Sequence, residues 1–162
     1  MGILSFIKDA GEKLFGAAST SAQAAAAPVD VAALNKTASD AIATYIRAQG
    51  LNATNLQVAY DGSSHVVTVS GEAADQATKE KILVAAGNVQ NVDKVDDKLS
   101  VTNPAPEAQF HTVVSGDNLW KIAEKYYGNG SKNDLIFKAN TPMLKSPDKI
   151  YPGQVLVIPA VQ

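Results

Sequence analysis

A proline-broken stretch, Asn103-Pro104-Ala105-Pro106-Glu107, divides the 162-residue chain into two segments that each begin a new pattern of strands and helices. Proline has no backbone N–H and restricts the residue before it, so neither a helix nor a central strand runs through this stretch. Each segment must then form its own small core. The sequence therefore predicts two small domains, at residues 30–103 and 110–160, joined by a linker at residues 104–109.

The first segment reads helix, strand, strand, helix, strand. Asp30 is the candidate N-cap of a helix that ends at Gly50, and Gly87-Asn88 ends the second helix. Alternating apolar residues predict strands over 56–60 and 65–70 and a third strand around 95–101. This order predicts an α+β sandwich in which two helices cover one face of a three-stranded sheet.

The second segment reads strand, helix, helix, strand. Ser115-Gly116-Asp117 turns the chain and offers Asp117 as the N-cap of the first helix. A unit of this size buries little surface, so we expect its aromatic residues to hold it together. These aromatic residues are Trp120, Tyr126, Tyr127 and Phe137.

Apolar residues at the N-terminus follow a helical spacing, at Ile3, Ile7, Ala10 and Leu14. The spacing predicts an amphipathic helix within residues 1–16 that docks on another part of the protein, because so short a helix is marginal alone. An Ala/Ser-rich linker follows at residues 17–29. Lys8-Asp9 interrupts the apolar start, unlike the core of a secretory signal, so we expect a cytoplasmic chain without a transmembrane span.

Composition excludes several functions. The formal net charge is -2 and no Lys/Arg-rich run is present, which argues against nucleic acid as a partner. The absence of cysteine excludes thiol catalysis. His65 and His111 belong to no nucleophile or metal motif. We expect a binding protein rather than an enzyme, and a monomer, since no sustained heptad or large apolar face is present.

The second domain resembles a LysM domain through Val113-Val114-Ser115-Gly116-Asp117-Asn118-Leu119-Trp120, Tyr126-Tyr127-Gly128, Ala139-Asn140 and Ile150-Tyr151-Pro152-Gly153-Gln154. Asn118 departs from the Thr usual there. The resemblance implies a βααβ fold that often binds N-acetylglucosamine polymers such as peptidoglycan, between the loop after the first strand and the loop before the second. The candidate groove residues are Gly116, Asp117, Asn118, Leu119, Asn140, Thr141, Pro142 and Met143.

The first domain resembles a BON domain, an αββαβ unit in which Val66-Val67-Thr68-Val69-Ser70-Gly71 precedes the second helix. BON domains are described as phospholipid-associated or as interaction modules. With BON before LysM and with the segments at residues 8–14, 79–88 and 143–151, the chain is similar to the small cytoplasmic potassium-binding proteins of bacteria. It departs from them in the alanine-rich region around residues 16–33.

A potassium site leaves few traces in a sequence, because neutral backbone carbonyls can replace the hydration shell of this large monocation. Two places suit such carbonyls, the helix end at Gly87-Asn88 and the break at Ala10-Gly11-Glu12. From the residues alone, a simple helix C-cap and a frayed terminus are the favoured explanation of these two places. Resemblance to the potassium-binding family suggests K⁺ ligation by the backbone oxygens of Ile7, Ala10, Glu12, Gly87, Val89 and Val92.

Asp93, Asp96 and Asp97 do not fit a calcium loop, and we interpret them as a solvated turn. Two functional alternatives to potassium binding stay open. A cell-envelope protein that binds peptidoglycan through the LysM groove is the second functional hypothesis. An adaptor whose modules bind other proteins or lipids is the third.

Overall fold

A computed structural model describes the protein over residues 2–5 and 30–161. The first domain contains β1 (Gly2–Ser5), α1 (Val31–Ala48), β2 (Ala53–Asp61), β3 (Val66–Asp75), α2 (Gln76–Gly87) and β4 (Lys94–Asn103). The second contains β5 (Gln109–Thr112), α3 (Leu119–Tyr127), a 3-10 turn (Gly130–Lys132), α4 (Asn133–Asn140) and β6 (Val155–Ile158).

The strands of the first domain form one sheet in the order β1-β4-β3-β2. The β2–β3 hairpin is antiparallel, whereas β3 and β4 are parallel because α2 carries the chain across the sheet between them. The predicted αββαβ order and α+β class are confirmed. Buried apolar side chains from both helices and from the sheet make the core, among them Ile42, Ile46, Ile82, Leu83, Val67, Val69 and Val95.

The N-terminus begins as a strand rather than a helix. Residues Gly2–Ser5 pair antiparallel with β4, with Gly2 opposite Asp97 and Ser5 opposite Lys94. The helical prediction is wrong over these four residues, and the sheet has four strands instead of three. The edge of β4 offers backbone donors and acceptors to residues 2–5. Pairing with this edge is more favourable than a short isolated helix, which is marginally stable in water. Residues 6–16 and the linker at 17–29 lie outside the described residues.

Side-chain caps set the starts of the helices. Asp30 caps α1 as predicted, its carboxylate accepting from the Ala33 N–H at 3.1 Å. The prediction for Asp117 is wrong, because Asn118 caps α3 by accepting from the Lys121 N–H at 2.8 Å. The Asp117 carboxylate is instead held by groups on β5 and in the turn, which keeps it away from the helix end.

The second domain packs α3 and α4 on the antiparallel β5–β6 pair. Its core is aliphatic: Val113, Leu119, Ile122, Ala123, Ile136, Leu144, Leu156 and Ile158. Tyr126, Tyr127 and Phe137 pack against this core, as expected. Trp120 does not, since it is 55% exposed. Its indole lies on Gly130, where an added Cβ would come within 2.2 Å of the ring.

The two domains are in contact along α2. Val155, at the start of β6, is 3% exposed and belongs to the core cluster of the first domain. Phe110 and Met143 of the second domain also pack against that cluster. In the part of the chain that is described, no helix has the length and apolarity needed to cross a bilayer.

Candidate cation site at the end of α2

The C-terminal end of α2 carries no basic side chain in its last turn. The other three α-helices each place one there: Arg47 in α1, Lys125 in α3 and Lys138 in α4. A helix end bears about half a negative elementary charge, and basic residues in the last turn normally offset it. Among the described helices, α2 alone leaves that partial charge without a basic side chain in its last turn.

The α2–β4 loop, residues 88–93, is held firmly from inside the protein. Val89 and Val92 are fully buried, and the Val92 N–H donates to the Val89 carbonyl at 3.2 Å. Asn91 adopts a left-handed conformation with φ 70°, and its carbonyl accepts from the Tyr60 hydroxyl at 2.8 Å. Asparagine tolerates this region better than most residues. The loop backbone is therefore fixed by its own side chains and by β2.

The side chains around this loop include negatively charged carboxylates. Burial raises the pKa of Tyr60, and the charges of Asp93 and Asp61 raise it further, so the hydroxyl stays a donor to the loop. Asp61 accepts from Ser63 and Ser64, and these hydrogen bonds lower its pKa to about 2. The Asp61 carboxylate is thus ionised at neutral pH, which favours a cation over an anion nearby.

Three of the six predicted ligand residues lie in one short segment at the end of α2. Gly87 ends α2, and Val89 and Val92 follow in the α2–β4 loop. Ile7, Ala10 and Glu12 lie outside the described residues, and so do their carbonyls.

The three aspartates that follow the loop are not gathered into a metal site. Each carboxylate faces a different basic partner: Asp93 with His65 at 3.0 Å, Asp96 with Lys98 at 3.5 Å and Asp97 with Lys79 at 3.0 Å. Over residues 2–5 and 30–161, no three His, Cys, Asp or Glu side chains are close enough together to hold a metal ion.

In the second domain, the predicted groove residue Asp117 is engaged internally. Its carboxylate accepts from His111 Nε2 at 2.8 Å and from the Val114 N–H at 3.0 Å. Nδ1 of the buried His111 forms a hydrogen bond with the Tyr126 hydroxyl at 3.1 Å. Burial would raise the pKa of Asp117, but the hydrogen bonds from His111 and Val114 outweigh it and hold the pKa below its ordinary value.

Other predicted groove residues are also occupied. Asn140 is 1% exposed, and its amide bonds the Val157 carbonyl and N–H, each at 2.8 Å. Leu119 is buried in the core, and Met143 packs against the first domain. The groove side chains that remain exposed are those of Asn118 and Thr141, beside the exposed backbone of Gly116 and partly buried Pro142.

One contact that the sequence did not predict joins the two domains beside the candidate cation site. Asn88, the C-cap of α2, is buried and donates from Nδ2 to the Val155 carbonyl at 2.8 Å. Its Oδ1 accepts from the Val155 N–H at 2.9 Å. The Gly87-Asn88 pair signals a helix end, and no local pattern points to a partner 67 residues away.

Comparison with known proteins gives two family matches. Residues 30–103 match the model of the BON domain, and residues 111–159 match the model of the LysM domain. The potassium binding protein Kbp of Escherichia coli is 46% identical over 160 residues, which cover 98% of this chain and 99% of that protein.

Two further relatives are similar over a shorter stretch. The spore coat assembly protein ExsA of Bacillus cereus and the SpoIVD-associated factor A of Bacillus subtilis are each 44% identical over 52 residues. That stretch is 32% of this chain, and 8% and 12% of those two proteins.

Proposed function

Because this chain belongs to the family of the potassium binding protein Kbp, we propose that it binds potassium ions through backbone carbonyls at the end of α2. The observation that carries the proposal is the C-terminal end of α2, where the last turn has no basic side chain. A bound cation would supply the positive charge that Arg47, Lys125 and Lys138 supply to the other helices.

The ligands in this proposal are neutral oxygens. Carbonyl oxygens can replace the water around a potassium ion without bringing in negative charge. Carboxylate clusters suit calcium and magnesium instead. The pairing of Asp93, Asp96 and Asp97 with separate bases is consistent with a site for a monocation that does not use them.

Strand β1 supports a contribution from the N-terminal segment. Antiparallel pairing directs β1 from Asp97 towards Lys94, so the chain leaves Ser5 at the end of β4 that adjoins the α2–β4 loop. Lys94 is only two residues beyond Val92. Since each residue spans at most about 3.6 Å, Ile7 is within roughly 7 Å of Ser5. Covalent reach thus allows Ile7, Ala10 and Glu12 to join Gly87, Val89 and Val92 around one ion.

The proposal includes a consequence for the arrangement of the domains. Potassium closes the N-terminal segment onto the BON domain and favours the packed arrangement of BON and LysM. The burial of Val155 in the BON core supports this coupling, because it joins the start of β6 to the domain that holds the candidate ligands.

Calorimetric titration of the full chain with KCl and, separately, NaCl tests the proposal, with choline chloride holding the ionic strength constant. We expect a saturable heat with potassium and a weaker response to sodium. An absence of heat at millimolar potassium, or equal responses to the two ions, would overturn it.

A second function, binding of peptidoglycan fragments in the LysM groove, is favoured by the match of residues 111–159 to the LysM model. The engagement of Asn140, Asp117 and Met143 by other parts of the protein weighs against it in the packed arrangement. Co-sedimentation with insoluble peptidoglycan distinguishes the two. We expect the protein not to co-sediment with peptidoglycan in the presence of potassium. If it does co-sediment and Thr141→Ala and Asn118→Ala do not reduce the bound amount, the protein adsorbs outside the groove.

A further inference from the structure

Strand β6 has two edges, and each is covered in a different way. One edge pairs with β5, with Thr112 opposite Val155 and Phe110 opposite Val157. At the other edge, two asparagine amides bond the strand: Asn88 bonds Val155 and Asn140 bonds Val157. A primary amide has the donor and acceptor of a peptide unit, so the two side chains stand in for a neighbouring strand.

The two asparagines come from different domains. Backbone groups of residues two apart point to the same side of a strand, so Val155 and Val157 present equivalent donors and acceptors along one edge. Asn140 covers Val157 from within the LysM domain, at the end of α4. Asn88 covers Val155 from the BON domain. The LysM domain therefore completes only half of this edge itself, and the BON domain completes the other half.

Asn88 also stands in the middle of the proposed ion site. It lies between Gly87 and Val89, two of the residues whose carbonyls are the proposed ligands. The peptide unit before its Cα carries the Gly87 carbonyl, and the Val89 carbonyl follows two peptide units further along, so a ligand that holds both carbonyls restricts the direction in which the Asn88 side chain leaves the backbone. Asn88 thus lies between two proposed ligand residues in the chain, and its side chain bonds the LysM domain.

We infer that Asn88 is the positioning residue that couples occupation of the cation site to docking of the LysM domain. This inference rests on the proposed function. Potassium fixes the Gly87 and Val89 carbonyls, which sets the Asn88 amide in line with the edge of β6. Coupling is reciprocal, so docking of Val155 on the Asn88 amide in turn strengthens binding of the ion.

A second contact holds α2 to the linker directly before β5 and is independent of the ion site. Glu80 is 6% exposed, and its carboxylate accepts from the Gln76 amide at 2.9 Å and from the Ala108 N–H at 2.8 Å. Loss of the Asn88 contact therefore leaves the domains tethered beside β5. Asn88 determines the orientation of the LysM domain on α2, whereas the Glu80 contact keeps the domains close together.

The experiment compares Asn88→Ala with Asn140→Ala. Each removes one asparagine amide from the same strand edge, but only the first breaks the contact between domains. The chain has no cysteine, so cysteines introduced at the exposed Ala48 and Ser115 can carry a fluorescence-transfer pair that reports domain closure. Potassium affinity is measured on the same proteins by calorimetry.

For the wild type we expect potassium to change the transfer efficiency. In Asn88→Ala that change is lost, and potassium affinity falls about tenfold, which is what removal of two hydrogen bonds of ordinary strength costs. Asn140→Ala lowers the melting temperature of the LysM domain yet keeps both the potassium affinity and the closure response of the wild type.

Asn88→Asp provides a second, milder test if the alanine variant does not fold. Its carboxylate can still accept from the Val155 N–H but cannot donate to the Val155 carbonyl. The closure response should then lie between those of the wild type and Asn88→Ala. A folded Asn88 variant with the closure response and affinity of the wild type overturns the inference alone. A calorimetric titration of the wild type that shows no heat with potassium overturns the proposed function, and the inference with it.

Discussion

The α2–β4 loop of the BON domain and the groove loops of the LysM domain both hold polar groups near the surface, but they use them differently. In the groove loops, the polar side chains of Asp117 and Asn140 are engaged inside the protein. In the α2–β4 loop, the side chains of Val89 and Val92 are buried, so these two residues can offer only backbone carbonyls as ligands. The loop is therefore the better candidate for a cation, because potassium needs neutral oxygens held at fixed positions.

The largest expected effect comes from removing the other half of the proposed ligand set. Deletion of residues 1–12 takes away β1 and the carbonyls of Ile7, Ala10 and Glu12. We expect potassium affinity, measured by calorimetry, to fall on the order of a hundredfold or more, because three carbonyls cannot replace the hydration shell. Replacement of Ala24–Ala27 by glycine and serine is the matched control and should leave affinity unchanged. Full affinity after the deletion would place the ion site elsewhere.

A change confined to the LysM domain should affect its stability and leave the ion site intact. The Cβ of Gly130→Ala would meet the Trp120 indole at 2.2 Å. Overpacking of this kind costs about 1–3 kcal/mol in the free energy of unfolding. Chemical denaturation measures this loss, and potassium affinity should stay within twofold of the wild type.

The cause of that loss can be isolated with a second variant. In a Trp120→Ala background the ring is absent, so Gly130→Ala should cost much less. An equal cost in both backgrounds would assign the effect to the backbone of the 3-10 turn and not to the indole.

A smaller effect should follow from a new charge in the α2–β4 loop. Gln90 lies between Val89 and Asn91 and is partly buried. Gln90→Lys places a positive charge near the negative end of α2, and Gln90→Glu a negative one. Charges at a helix end contribute about 0.3–1 kcal/mol, which corresponds to a change of roughly two- to fivefold in potassium affinity. We expect weaker binding for Gln90→Lys and tighter binding for Gln90→Glu. Changes in the same direction for both variants would show a steric cause instead.

The smallest effect concerns acid stability. The pKa of Asp117 is below its ordinary value, so its stabilising contribution is present above pH 4 or so and is lost as the pH falls through the folded-state pKa. In Asp117→Asn this part of the acid transition should disappear, so that the melting temperature of the LysM domain changes less as the pH falls below about 4. An acid profile like that of the wild type would show that the Asp117–His111 contact does not stabilise the domain.

The parts that could be predicted from sequence are those with local causes. The Asp30 cap, the alternation through Val67 and Val69 and the helix end at Gly87 each follow from neighbouring residues, and so did the αββαβ order. Strand β1 was missed because its apolar spacing fits a helix as well as a strand. The edge of β4 with which residues 2–5 pair, and which favours a strand there, is some 90 residues away in the sequence.

The predictions for several polar and aromatic side chains were wrong or incomplete for a related reason. Asp117 was predicted to cap α3, but its partners His111 and Val114 lie on the strand side of the turn. Asn88 was read only as the residue after a helix, since its bond to Val155 depends on the docking of two domains. Trp120 was expected in the core, and only the packing of the 3-10 turn shows that its ring covers Gly130 at the surface.

Carbonyl carbon chemical shifts measured by NMR during a potassium titration test the central claim most directly. We expect large, saturable shifts at Gly87, Val89 and Val92, and much smaller ones when sodium replaces potassium. The carbonyls of the groove loop at residues 141–143 should move only as far as domain docking requires. Saturable shifts at the groove loop with none at residues 87–92 would contradict the assignment of the cation to the end of α2.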